Sequence, residues 1–297
     1  MDIIYATADK VYNNTLIMLG NFDGLHLAHM SVINKGIQYA KENALKSTMF
    51  MFENHTRNEK LITPNKIKLK ILSDIAPDFL YIEKFDDNIM KKSPEEFIQM
   101  LIKKLGMRAV CIGYDYRFGY KAQGDVKTMY SLGKKYGFDV LVTEKISIDN
   151  TTVSSTHIRT LIENGDMKKA SEFIGRPFTM CGVVEKGLQN GRKLGFPTAN
   201  ISVDKDSILP KCGVYAGFSE VNGKKYKSVI NVGNNPTFNA KNITVESHII
   251  DFCGDIYNEN VTVSFFEYIR DDIKFNSIEE LKNQILKDKK KAIEILK

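Results

Sequence analysis

The chain holds 297 residues, 43% apolar and 26% charged, an ordinary globular composition at a length that predicts two domains. No apolar run reaches the ~20 residues that span a bilayer, and the opening MDIIYATADK lacks the basic flank and apolar core of a signal peptide, so a cytoplasmic protein without membrane contact is expected. The net charge of +6 divides evenly, with 24 basic and 21 acidic residues through Gly175 and 18 and 15 beyond it, which gives no hint of a nucleic-acid-binding domain and suits a small anionic substrate.

TLIML (15–19) predicts a buried strand, and the stretch from His29 to about Glu42 a helix. STMFMF (47–52) reads as a strand, PNKIKLKILSDI (64–75) as a helix and DFLYIE (78–83) as a strand. SPEEFIQMLIKKLG is a helix with its own punctuation: Ser93 as N-cap, Pro94 at the first helical position, Glu96 closing a capping box and Gly106 as the stop. RAVCIG (108–113) is a strand, DVKTMYSLGKKYG (125–137) a helix and FDVLVTE (138–144) a strand. Alternation at this spacing predicts an α/β fold, a parallel sheet covered by helices on both faces.

SSTHIRTLIENG (154–165), capped by Ser154 or Ser155, and DMKKASEFIG (166–175) continue the helices. From Pro177 to about Arg270 the texture changes to short β-like segments, and Asn-Gly in EVNGKKY (220–226) marks a hairpin. This part predicts a small antiparallel barrel, followed by a helix from Ser277 with Glu280 in the capping-box position. The boundary is read at Arg176, giving domains of 1–175 and 176–297. Cys111, Cys181, Cys212 and Cys253 form no CxxC pair and are expected as buried, reduced thiols.

GNFDGLHLAH (20–29) raises the first chemical question, because His26 and His29 lie three apart behind a buried strand. A metal site needs further ligands, and no HExxH motif or cysteine is near. A helix starting after a strand presents unpaired N–H groups at the ligand-binding edge of such a sheet, and two imidazoles there are candidates to donate to phosphate oxygens. Two structural histidines are the third reading. NFDGLHLAH resembles the HxGH signature of nucleotidyltransferases, in particular the GxFDGxHxGH of the FMN adenylyltransferase module of bacterial FAD synthetases. IGYDYRFGYKAQGD (112–125) is similar to that family's GxDFRFGxxxxGD, and VSSTHIR (153–159) to its ISSTxIR. Three departures stand out: Ala28 replaces the Gly of HxGH, FxPHP reads FENHT with His55 kept, and His157 replaces an arginine within ISSTxIR.

The barrel-like part carries a second constellation. GLQNGRKLG (187–195) is a glycine-rich basic loop suited to phosphates, and PTAN offers Thr198 and Asn200 as hard oxygen donors two apart, facing one way if extended. Common turns share these features. The whole of 175–201 resembles the riboflavin kinase signature GRPxxxxGxVxxGxxxGRxLGxPTAN. NVGNNPTF (231–238) is similar to NxGxxPTF, and 245–275 to VExHxLDF…RxExKF. Together the resemblances cover nearly the whole chain and point to the bifunctional riboflavin kinase/FAD synthetase family of bacteria.

That resemblance implies a Rossmann-like nucleotidyltransferase domain before the kinase barrel. It implies ATP and riboflavin as substrates, FMN and FAD as products, and Mg²⁺ as cofactor. It assigns Glu246 as the catalytic base of the kinase, with Thr198 and Asn200 toward Mg²⁺ and Gly187, Gly191, Arg192 and Gly195 in the phosphate loop. For adenylylation it assigns His26 and His29 to the ATP phosphates. Asn21, Asp23 and Gly24 fall in the first loop, Ser155, Thr156 and Arg159 at a second phosphate contact, and His55, Asp115 and Arg117 near the substrates. Arg117 equally suits a scaffold pair with Asp115. The departures leave open a kinase whose adenylyltransferase module is weak or inactive.

Overall fold

A computed structural model describes residues 1–6, 12–53, 60–187, 191, 194–234 and 243–297. The chain forms two compact units, one of residues 1–59 with 69–153, the other of 60–68 with 154–297. Among the described residues, no helix is long and apolar enough to cross a membrane.

The first unit is built on six strands: β1 (Asp2–Tyr5), β2 (Thr15–Leu19), β3 (Lys46–Phe52), β4 (Phe79–Glu83), β5 (Met107–Gly113) and β6 (Asp139–Thr143). They pair in the order β1-β4-β3-β2-β5-β6, parallel throughout. Side chains alternate across a strand, so β2 feeds two cores. Ile17 and Leu19 join Ile98 and Leu101 of helix α4 (Pro94–Leu105) and Met129 of α5 (Val126–Tyr136). Leu16 and Met18 join Val32 and Ile33 of α1 (Leu27–Glu42) and Leu72 of α2 (Asn65–Ile75). Burial on both faces is why TLIML is apolar without a gap. The expected punctuation of α4 is present: Ser93 N donates to Glu96 Oε2 at 2.7 Å, Glu96 N donates to Ser93 Oγ at 3.3 Å, and Gly106 ends the helix at φ 56°. The edge strand β1, the short α3 (Asp87–Met90) and a two-residue hairpin, β7 (Ser147–Ile148) with β8 (Thr151–Thr152), were too brief for periodicity to reveal.

The second unit opens with helices α6 (Ser155–Glu163) and α7 (Met167–Ile174). Six strands follow: β9 (Phe178–Glu185), β10 (Ala199–Val203), β11 (Gly213–Val221), β12 (Lys224–Asn234), β13 (Ile243–Ile249) and β14 (Asn260–Arg270). They close into an antiparallel barrel in the order β10-β13-β12-β11-β14-β9. Asn222 and Gly223, at φ 49° and 76°, turn the β11–β12 hairpin as Asn-Gly predicts. Buried Met180, Ile230, Val245, Val263 and Phe265 belong to the core, together with Ser219, Ser228 and Ser247, whose hydroxyls satisfy one another at 2.8 Å. Residues 60–68 belong to this unit as well. Leu61 N donates to Asp206 O, Ile208 N donates to Leu61 O, and Arg176 donates to the Thr63 hydroxyl at 2.9 Å. Compactness thus draws its line after Val153, so that α6 and α7 go with the barrel.

Helix α8 (Ile278–Ile295) packs Ala292 and Leu296, the residue after its last turn, against Ala216, Phe218 and Val229 of the barrel wall. Arg270 clamps it, donating from Nε to both oxygens of Asp288 at 3.0 Å and from Nη2 at 2.7 Å, and Gln284 adds a bond at 2.8 Å. Asp288 is buried. Removing one partner of such a pair strands the other charge. Asp288→Ala is therefore expected to cost about 3 kcal/mol of stability to this unit, read as an earlier urea midpoint.

Candidate active sites

The parallel sheet reverses its order between β2 and β5, which places the loops after these two strands at the crevice where α/β sheets bind ligands. The loop after β2 is a tight turn with Phe22, Gly24 and Leu25 at φ 47°, 86° and 41°. Complete burial of Phe22 and Leu25 holds these two in a backbone region that L-residues avoid. Asp23 is buried within the turn and Asn21 is exposed before it. His26 is the N-cap of α1, and its Nδ1 accepts from His29 N at 3.4 Å. In the neutral ring the proton then sits on Nε2, which makes that nitrogen a donor. His29 stacks on His26 with ring centroids 3.6 Å apart and planes 15° from parallel, and Phe22 braces it edge-on at 5.4 Å. Rings stacked face to face with one nitrogen engaged in capping do not converge on a single zinc. The pair instead lies at a helix N-terminus, where N–H groups favour anions.

Across the switch point, Asp115 and Arg117 are exposed on the loop after β5. Arg117 lies 3.9 Å from Asp125, the N-cap of α5, so its scaffold partner is Asp125 and not Asp115. Ser155 and Thr156 open α6, which is capped by Ser154 Oγ accepting from His157 N at 3.3 Å. Arg159, one turn on, donates to Lys60 O at 3.2 Å. These three residues belong to the second compact unit. His157 packs edge-on against Phe173 of α7 at 4.8 Å, which gives this departure from the family pattern a packing role. His55 and Arg192 lie outside the described residues.

On the barrel, pairing sets Glu185, Asn200, Glu246 and Asn231 in one row across four strands. Val245, Ser247 and Ile249 of β13 are buried, which turns Glu246 and His248 to the other face. Thr198, just before β10, donates its hydroxyl to Glu246 at 3.4 Å. Burial pushes the Glu246 carboxyl above its ordinary range, and the Thr198 hydrogen bond offsets part of this. Burial lowers the His248 pKa, the neutral ring is therefore favoured, and its Nδ1 contacts Pro197 O at 2.9 Å as donor. That bond ties the backbone immediately before Thr198. His248→Ala should lower turnover at this site about tenfold by releasing it, while His248→Asn, which keeps a donor at that length, should restore most of the rate; steady-state kinetics on the two variants decides.

Two glycines complete the cradle. A Cβ at Gly187 would stand 2.4 Å from Asn200 Nδ2, and one at Gly191 2.4 Å from Phe196 O and 3.3 Å from the Thr198 hydroxyl. Only a residue without a side chain lets the loop approach so closely. Gly195 takes φ 87° in the same loop. A cavity of about 630 Å³ includes Asn231, Glu246 and His248 in its lining, with Phe275, Leu281 and Ile285 also contributing. A second, of about 420 Å³, is walled by Val184, Ile249, Phe252, Ile256 and Tyr257. Thr198 and Asn200 line both. The hydroxyl, the amide oxygen and the glycine cradle fit a hard cation carried in with phosphates. Among the cysteines, Cys111 is buried and Cys181 and Cys212 are partly so, but Cys253 is exposed at the smaller cavity, which corrects the expectation of four buried thiols. Asn231 received no role from the sequence; the signal was its odd-even position in NVGN opposite Glu246.

Comparison with known proteins agrees with both halves. The riboflavin kinase family matches residues 174–296 and the FAD synthetase family residues 8–157. A bifunctional riboflavin kinase/FMN adenylyltransferase of Bacillus subtilis is 35% identical over 94% of this chain and 92% of its own length. Its counterpart in Haemophilus influenzae is 34% identical over 95% and 94%. A crystal structure from Streptococcus pneumoniae, described as a macrolide-efflux protein, superposes with a TM-score of 0.89 over 97% of both chains at 26% identity. A parallel-sheet unit with a histidine-capped switch point, a barrel with two cavities that share Thr198 and Asn200, and relatives matched along most of their length lead to one conclusion: the chain belongs to the bifunctional riboflavin kinase/FMN adenylyltransferase family.

Proposed function

We propose that this chain makes FAD from riboflavin and two ATP in two transfers at separate sites, as an ATP-dependent kinase and nucleotidyltransferase. The observation that carries the reading is Glu246, a half-buried carboxylate beside Thr198 in the larger cavity, with Thr198 and Asn200 shared by the smaller one. In the first transfer, riboflavin occupies the larger cavity with its terminal ribityl hydroxyl at Glu246. The adenine of ATP lies in the smaller cavity, and its phosphates cross Thr198 and Asn200 beside Gly187 and Gly191. Glu246 takes the hydroxyl proton as that oxygen attacks the γ-phosphorus, ADP leaves, and FMN forms. Thr198 and Asn200 would hold Mg²⁺, which supplies neutralisation of the phosphate charge. Positioning is the chain's own contribution: His248 fixes Pro197, and Thr198 and the loop orient the phosphates.

In the second transfer a phosphate oxygen of FMN attacks the α-phosphorus of ATP and pyrophosphate leaves. The FMN phosphate is itself the nucleophile, so no covalent enzyme intermediate is needed. His26, through Nε2–H, and His29 donate to phosphate oxygens as their charge grows. Asn21, Asp23 and Gly24 shape the loop beneath them, and Ser155, Thr156 and Arg159 remain the proposed triphosphate contacts, with Asp115 near the substrates. Arg117 is proposed as scaffold more than as contact, given its pairing with Asp125. We place the functional boundary at Gly175–Arg176 and the protein in the cytoplasm, where free thiols such as these four persist. A kinase with a weak adenylyltransferase module is not favoured, because the bifunctional relatives match along 94% of the chain.

The test is a time course of purified protein with riboflavin, excess ATP and Mg²⁺, with flavins separated by chromatography. FMN should rise first and FAD follow. FMN that accumulates without FAD would remove the second activity, and no product at all would sink the reading.

A further inference from the structure

We propose that Asn231 is a flavin-contacting residue of the kinase site, accepting a hydrogen bond from a donor group of bound riboflavin through its side-chain oxygen. The inference rests on the reading of the larger cavity as the riboflavin pocket. Asn231 and Glu246 are direct partners across β12 and β13, so their side chains emerge side by side on the same face. On the other side of Glu246 stands Asn200, its partner across β10. The carboxylate is thus flanked by two amides, one on the phosphate side and one facing away from it. Both line the larger cavity.

The side-chain oxygen of Asn231 is closed off from solvent and has no hydrogen-bond partner among the described residues. A buried amide oxygen without a donor is unfavourable, and groups of this kind call for an explanation in what the site binds. Glu246, when ionised, only accepts hydrogen bonds and cannot supply the missing donor. A ribityl chain carries several hydroxyls next to the one that reacts. When the terminal hydroxyl reaches Glu246, a neighbouring hydroxyl comes within reach of the residue beside Glu246, which is Asn231. The proposal therefore gives Asn231 a role in holding the acceptor chain in register, while Thr198 and Asn200 serve the phosphates.

The test uses the full-length chain and riboflavin fluorescence. Asn231→Ala should weaken riboflavin binding about tenfold, leave ADP binding by calorimetry unchanged, and leave conversion of supplied FMN to FAD unchanged. Asn231→Asp keeps an oxygen at the same length. It should hold riboflavin affinity within about threefold of wild type at pH 8. Unchanged riboflavin affinity in Asn231→Ala overturns the proposal. So does equal weakening of riboflavin and ADP with a lower thermal midpoint, which marks a merely structural residue. Failure of the wild-type protein to bind or phosphorylate riboflavin overturns the pocket assignment itself and is seen before any variant is made.

Discussion

Glu246→Gln is expected to lower riboflavin phosphorylation by about 10²–10⁴-fold, the range of a lost general base, while supplied FMN is still converted to FAD at the wild-type rate. Glutamine keeps the shape and one oxygen near Thr198 but cannot take the hydroxyl proton. The wild-type pH profile supplies the companion observation. Burial raises the Glu246 pKa, and the base works only when ionised. Kinase activity should therefore fall on acidification from a pH above the ordinary carboxylate range, and the Gln variant's residual rate should lack that limb. A carboxyl whose folded-state pKa is raised destabilises the fold at pH above it and no longer does so when protonated. Gln carries no charge, so the variant's thermal midpoint at pH 8 should equal or exceed that of the wild type. A lower midpoint, or parallel loss of both activities, would contradict two independent sites.

His26→Ala and His29→Ala should do the reverse, with FMN accumulating and FAD formation reduced by about 10²–10³-fold if each imidazole is the phosphate donor proposed above. The two are expected to differ in stability. His26 also caps α1, accepting from His29 N, so its removal should cost about 1 kcal/mol that His29→Ala does not share. His26→Asn separates the roles, because it restores a cap acceptor but not an imidazole donor. Recovered stability without recovered FAD synthesis is the expected outcome, measured by thermal unfolding and by the flavin time course.

Much of this architecture was legible because its determinants are local. The caps of α4, the Asn-Gly hairpin and the unbroken apolar strand β2 each depend on a few adjacent residues, and each appears where the sequence places it. What stayed hidden depends on distant pairing. PTAN read as a pair of donors, but Asn200 gains its meaning from lying in β10 opposite Glu246, 46 positions along the numbering. Asn231 carried no motif weight until β12 set it on the other side of the same carboxylate. His26 was not legible as an N-cap, since histidine is not among the usual capping residues. Nor does a local pattern reveal which core a short apolar segment will join.

Residues 60–68 show what that last point means for a growing chain. They leave the ribosome some ninety positions before Ser154, yet the backbone partners of Leu61, at Asp206 and Ile208, lie beyond it. Until then the segment has no core to enter, so synthesis includes an interval in which the parallel sheet can complete while a piece of the barrel unit waits exposed. The barrel unit is thus discontinuous in the gene. A fragment begun at residue 176 would lack Thr63, the partner of Arg176, and the Leu61 bridge to Ser207. A cut after Val153 therefore leaves residues 60–68, part of the barrel unit, on the other piece.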